Sequence, residues 1–341
     1  MNVAGEIYRG LVVTIDTEEE GLWSGEYAAK ATVQNINSVP RFQMICDRHG
    51  IRPTYLVTTP VAESADAVRI LKTIQDEDRC EIATHVHPWN SPPVDDHSTP
   101  RNSYLCNLPT EVQREKLLGL TELIECQFER RPIAFRAGRY GADATTLRIL
   151  KELGYQVDSS VLPRADYRSQ GGPDFRAATC IPYFPSEHDI LGTGEDDGLL
   201  EVPVTAGYTH SHFELADRLR AVAMRRPWKS FKAVGLLDRT GIATKVKLSP
   251  EQASLQAMQQ LAAAMIRRGS PVLVLMFHSS SLLPGCSPYV RSEADLDDFL
   301  DRLDRFFQFA VDQLGLDTLT LGECFDHRGH LCPGQLPGSK L

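Results

Sequence analysis

The stretch Glu81-Ile82-Ala83-Thr84-His85-Val86-His87-Pro88-Trp89 decides how this chain is read. Its apolar content predicts a strand, so His85 and His87 project to one face. Pro88 cannot donate to a ladder, which leaves both imidazoles at a strand terminus beside a loop. Neutral imidazole suits zinc and other first-row divalent metals. Metal hydrolases built on barrels keep their chemistry at such strand ends. Alone, a two-residue histidine spacing is weak evidence for a metal. Its weight comes from the rest of the chain.

Outward from this stretch, strands and helices alternate. Residues 10–15 (Leu11-Val12-Val13-Thr14-Ile15) are rich in β-branched side chains and read as a first strand. A helix is expected over 33–49, closed by Gly50, then a strand over 53–59 and a helix over 64–75 with Ser64 as N-cap. After the strand 80–87 come a helix over 109–129, with Thr110 as a candidate cap, a strand over 133–137, a helix over 142–153 and a strand over 155–161. Such alternation predicts parallel βαβ units. The rhythm breaks at 163–197, rich in Pro, Gly and charge and read as an insertion. It resumes with a segment at 199–205, helices over 212–225 and 249–268, a buried strand at 271–278, an amphipathic helix over 293–314 and a last strand at 318–321. The expectation is an α/β fold, a distorted or incomplete (β/α) barrel of seven to eight strands, forming one domain over 1–325 with a loose tail over 326–341. A doubly wound open sheet is the alternative, disfavoured because no Gly-rich dinucleotide fingerprint follows the first strand.

The totals exclude several classes. With 36 basic and 45 acidic residues the 341-residue chain carries a formal charge of −9 and shows no basic stripe for nucleic acid or anionic membrane. Its longest apolar run, 271–277, is far short of the roughly 18 residues of a membrane span. Residues 1–10 lack a charged segment followed by an apolar one, so cytoplasmic residence is expected. Eight scattered cysteines without a CxxC pair predict neither a disulfide framework nor a thiolate zinc site.

Other strand ends carry chemistry. Asp16 and Glu18 share the i, i+2 relation of the two histidines, and two His plus one carboxylate leave open metal positions for water and substrate. Glu19 and Glu20 read as a solvated acidic loop. His278 follows a buried strand and precedes Ser279-Ser280-Ser281. Arg136, in Phe135-Arg136-Ala137-Gly138-Arg139-Tyr140-Gly141, can hold a carboxylate ionised, and Asp158 is a candidate partner. Trp23, Trp89, Tyr104 and Tyr140 suit sugar stacking or packing equally.

Taken together, these stretches resemble the motifs of the polysaccharide deacetylases, divalent-metal-dependent carbohydrate esterases with a distorted (β/α) barrel. The resemblance runs in family order from Thr14 to His278. It implies Asp16 as catalytic base and Glu18, His85 and His87 as metal ligands, with Asp16 the alternative carboxylate. It implies Arg136 orienting the base, Asp158 partnering that Arg, and His278 as general acid, positioned by Asp158 or another carboxylate. Tyr140 and Trp89 would contact substrate, and Zn²⁺, or Co²⁺ or Ni²⁺, would be the cofactor. The activity implied is removal of an N-acetyl group from an amino-sugar-containing carbohydrate or glycoconjugate. Three departures stand out: Thr17 replaces the second of two adjacent Asp, the histidines are two rather than four apart, and Arg139 is an extra residue before Tyr140. His97 is a further possible ligand from the following loop. The rival readings are a formamide or cyclic-amide hydrolase on the same barrel and a glycan-binding barrel without catalysis. A histidine-pair amidohydrolase fits less well, since two strands precede the pair.

Overall fold

The central strand is β1 (Gly10–Thr17), buried along its whole length. A computed structural model describes residues 8–24, 32–94, 99–196, 198–223 and 244–332. After β1 come α1 (Val39–Arg48), β2 (Thr54–Val57), α2 (Thr59–Glu63), α3 (Ala65–Asp76), β3 (Glu81–Val86), α4 (Thr110–Phe128), β4 (Ala134–Ala137), α5 (Ala144–Glu152), β5 (Val157–Asp158) and β6 (Leu200–Glu201). They are followed by β7 (Ala206–Tyr208), α6 (Phe213–Ala223), β8 (Lys245–Lys247), α7 (Leu255–Arg267), β9 (Val272–His278), α8 (Glu293–Gln308) and β10 (Asp317–Leu319).

Strands β9, β1, β2, β3, β4, β5 and β6 lie side by side, all parallel. The eighth, β10, pairs with the first residues of β1, and β2 takes over that edge from Thr14 onward. The sheet curls until the chain after β6 meets β9. There the Thr205 N–H donates to the Val274 carbonyl at 3.2 Å, and the Val274 N–H donates to Thr205 Oγ1 at 2.8 Å. The result is the incomplete (β/α) barrel that the alternation predicts.

Strand alternation sorts the side chains into two cores. Leu11, Val13 and Ile15 of β1 face the helices, together with Phe42, Leu71, Leu117, Phe277 and Phe299. Val12 faces the lumen with Leu56, Ala83, Ala134, Val157, Leu200 and Val274. The 163–197 excursion adds Phe184 to this inner core. At roughly 1.5–3 kcal/mol per buried Val, Leu or Phe, these layers dominate the stability of the fold. Above the apolar floor the lumen turns polar: Thr14, Asp16, His85 and Arg136 occupy the next positions on the same faces.

Helix ends depart from expectation where local capping decides. The first helix begins as a 3-10 turn, Gln34–Ser38, and becomes regular only at Val39, next to Pro40. Ser64 caps α3 as expected. Thr110 does not cap α4, whose N-cap position is Pro109, without a side-chain bond. Asp143, in a capping box with Thr146, starts α5 two residues late, and Ser254 starts α7 six residues late. Beyond Asp326, expected to be loose, a short helix (Arg328–Leu331) buries Leu331 and Cys332 against the inner core. The rest of that tail, from 333, lies outside the described residues, as does His97.

Candidate metal centre

The C-terminal ends of β1, β3, β4 and β9 open onto one cavity of about 270 Å³, lined by Asp16, Glu18, Trp23, His85, His87, Trp89, Arg139, Tyr140 and His278. Register explains the convergence. Asp16 pairs with His278 across β1 and β9, and His85 pairs with Arg136 across β3 and β4. Partners in a parallel ladder point to the same face, here the lumen.

Glu18, His85 and His87 form the one group of three potential ligands among the described residues, with donor atoms within 4.8 Å of one another. Glu18 Oε2 lies 3.8 Å from His85 Nε2 and 3.5 Å from His87 Nε2. The other ring nitrogens are engaged. His85 Nδ1 is 2.8 Å from the Arg136 carbonyl, and His87 Nδ1 is 2.8 Å from Glu19 Oε1. Acceptors at both Nδ1 atoms put the Nε2 lone pairs toward Glu18, the arrangement by which proteins orient metal-binding imidazoles. Burial pushes His85 down to about 3, against the pull of Asp16, so this ring is neutral and able to ligate. Burial, then the charges of Asp16, Glu19 and Glu251, push Glu18 well above the usual carboxylate range, a crowding of acids that a bound cation would relieve. This donor set fits a divalent metal.

Asp16 stands beside this cluster. Arg136 Nη1 donates to Asp16 Oδ1 at 2.6 Å, while Oδ2 is 3.9 Å from both His85 Nε2 and His278 Nε2. Burial alone would raise Asp16, but Arg136, His85 and His278 outweigh it and hold the carboxylate below its ordinary range. Arg136, fully buried, also donates from Nη1 to Thr14 Oγ1, from Nε to the Ser159 carbonyl and from Nη2 to Ser159 Oγ, each at 3.0 Å.

Asp158 does not partner Arg136, a correction to the sequence reading. In register it pairs with Phe135, not Arg136, so it faces the helix side of the sheet. There it meets Glu201, its register partner on β6, and Ser160 donates to it. Burial raises both acids, and the neighbouring charge of Asp158 raises Glu201 further. Among the described residues no group donates to Asp158 Oδ2 or to Glu201 Oε2, an arrangement in which one proton held between the two carboxyls would relieve their repulsion. Nor does Asp158 position His278. That role falls to Glu251, whose Oε2 is 2.9 Å from His278 Nδ1 and whose Oε1 accepts from the His278 N–H at 3.0 Å and from Ser281 Oγ at 2.7 Å. Burial opposes ionisation of Glu251, but His278 outweighs it and keeps the acid below its usual range.

Glu19 corrects a second expectation. It is 1 % exposed, not solvated, and accepts from His87 Nδ1, Trp89 Nε1 at 3.2 Å and Asn90 Nδ2. Trp89 is stacked on His87, with ring centroids 4.3 Å apart, so that face braces the His87 imidazole. Trp23 stands edge-on to His278 at 5.0 Å, and its Nε1 donates to Ser280 Oγ at 3.2 Å. Tyr140 lines the opposite wall, stacked on Tyr167. Tyr104 is buried beneath the Arg139 guanidinium. The three serines after His278 divide the work: Ser279 Oγ accepts from the Glu18 N–H, Ser280 holds Trp23, and Ser281 holds Glu251.

The fold and site together define a class: a curled parallel sheet with a Glu-His-His cluster, a buried Asp–Arg pair and a carboxylate-held His at its strand ends. The chain has the polysaccharide deacetylase fold. It is similar to a candidate polysaccharide deacetylase from Mycobacterium smegmatis (15% identity, TM-score 0.56, covering 99% of this chain and 95% of the other). It is also similar to a candidate glycoside hydrolase/deacetylase from Parabacteroides distasonis (12% identity, TM-score 0.60, covering 95% and 72%) and to the Puue allantoinase (13% identity, TM-score 0.52, covering 97% and 93%). No family model matches the sequence, and no curated protein matches it.

Proposed function

We propose that the protein is a metal-dependent amide hydrolase that removes an N-acetyl group from an amino-sugar-containing carbohydrate or glycoconjugate precursor. One observation carries this reading: Asp16 Oδ2 lies 3.9 Å from a ligand histidine and 3.9 Å from His278, while Arg136 holds its other oxygen. A binding module has no need for a base and an acid on either side of a metal cluster.

Glu18, His85 and His87 would hold the ion, Zn²⁺ first, with Co²⁺ or Ni²⁺ also suited to these donors. Such an ion supplies Lewis acidity toward the amide carbonyl and lowers the pKa of water. Asp16 Oδ2 takes a proton from the attacking water, and Arg136 keeps that carboxylate oriented. The water oxygen bonds to the acetyl carbon, with the Tyr140 backbone N–H a donor to the developing oxyanion. His278, fixed through Nδ1 by Glu251, presents Nε2 to the cavity and protonates the leaving nitrogen as the C–N bond breaks. The products are acetate and a free amine, and the proton on Asp16 returns to His278. Trp23 and Tyr140 wall the cavity where a sugar ring would stack.

Acetate release from acetylated amino-sugar oligomers tests this. The wild type should release acetate, and Asp16→Asn should retain metal while losing turnover by at least about 10²-fold. An Asp16→Asn variant as active as wild type would remove Asp16 as the base. A second reading, hydrolysis of a cyclic amide, takes its support from the allantoinase likeness in fold. Product analysis separates the two, since ring opening releases no acetate.

A further inference from the structure

A second cleft, of about 250 Å³, adjoins the catalytic pocket and is lined by Leu162, Arg164, Tyr167, Lys245, Lys247 and Gln252, among others. Tyr167 connects the two, because its ring stacks on Tyr140 of the pocket wall at 6.0 Å. Lys245 and Lys247 are alternate residues of β8, so their side chains share a face, and both line this cleft. Opposite Lys247 in the β7–β8 ladder is Ala206, small enough to leave space beside that lysine, while Lys245 is opposite Tyr208.

Two of the three cations lining this cleft, Lys245 and Lys247, form no ion pair among the described residues. Arg164 is paired with Asp217 at 3.2 Å, and the Lys245 ammonium donates to the Arg164 carbonyl at 2.7 Å, a neutral acceptor. Half-buried Lys247 makes no hydrogen bond or ion pair among the described residues, although Glu251, Asp16 and Glu18 lie within reach of its charge. Burial pulls both lysines below their ordinary range, against the opposing charges of Glu251 and Asp16 on Lys247 and of Asp217 on Lys245. In a chain of net charge −9, two such lysines lining a cleft next to the catalytic pocket mark a place for an anion.

We propose that this cleft binds an acidic group of the substrate, a carboxylate or a phosphate, on Lys247 and Lys245. Resting on the amide-hydrolase reading, this narrows its substrate class to an acidic amide: a sugar acid, a sugar phosphate or a comparable anion. The acidic group would sit beyond Tyr140 and Tyr167 while the amide lies at Asp16 and His278.

Calorimetric titration of the full chain with inorganic phosphate and, separately, with glucuronate tests it, in wild type and in Lys247→Gln, Lys245→Gln and His87→Ala. Thermal melts of each variant confirm folding. The expected result is binding of at least one anion to wild type and to His87→Ala, weakened at least about tenfold in Lys247→Gln and less in Lys245→Gln. The stronger anion names the acidic group. Equal binding in wild type and both lysine variants, or no binding of either anion, overturns the cleft. Binding lost in His87→Ala but kept in the lysine variants assigns the anion to the metal cluster and also overturns it. Because binding is read without turnover, anion binding with no acetate release would defeat the hydrolase reading and leave the cleft standing.

Discussion

Glu19 is a residue whose role strand alternation conceals. Alternation puts Asp16 and Glu18 toward the lumen and Glu19 away from it, but β1 ends at Thr17 and the chain turns, carrying Glu19 beneath His87. The periodic argument holds only while the strand lasts. Asp16, Glu18, His85, His87, Arg136 and His278 are legible because each lies within one residue of a strand's end. Glu251 is not, since it follows Ser249-Pro250 in a segment that reads as helix, with no strand-face spacing to give it away. If Glu19 fixes the orientation of His87, Glu19→Gln should weaken divalent-metal affinity about 10–100-fold. Competition against a chelator measures this, and an unchanged affinity would leave Glu19 as packing alone.

Two elements carry further predictions. The turn after β4 must pass against His87, and Gly138 makes that possible: a Cβ there would lie 2.5 Å from His87 Cδ2 and 2.7 Å from the Val86 carbonyl. Gly138→Ala should therefore push His87 out of place and lower metal content, with the chain still folded by circular dichroism. Full metal occupancy in that variant would show that the turn can shift without cost. The β5–β6 ladder makes a different claim. Its two-residue strands put Asp158 and Glu201 on the helix side, a phase that the Asp158-Ser159-Ser160 stretch does not reveal, because register with β4 sets it. Both acids are raised, so above about pH 4.3, the range of an unfolded glutamate, the folded chain holds more protons than the unfolded one. Stability then falls as pH rises toward the raised folded pKa. If the two carboxyls share a proton, Glu201→Gln replaces it by an amide N–H, and the slope of Tm against pH between about 5 and 8 should flatten. An identical slope would mean that the two carboxyls do not share a proton.

At the scale of the molecule, the barrel is legible because its strands are long apolar or β-branched runs separated by helices of ordinary length. What closes it is not. Thr205 bonding to Val274, Phe184 plugging the lumen and Leu331 sealing its floor are contacts between segments far apart in sequence, and none has a local signal. Lys116 is of the same kind: its ammonium donates to the carbonyls of Pro88 and Ser91, at 2.9 and 2.6 Å, and of Pro93, pinning the loop behind the two histidines. The curl of the sheet brings the ends of β1, β3, β4 and β9 within one cavity, and the central claim is that this cavity holds a metal on Glu18, His85 and His87. Elemental analysis of purified wild type beside His85→Ala and His87→Ala tests it most directly. About one divalent ion per chain is expected in wild type, lost in both variants. Wild type that stays metal-free after supplementation, or variants that keep the ion, would contradict it.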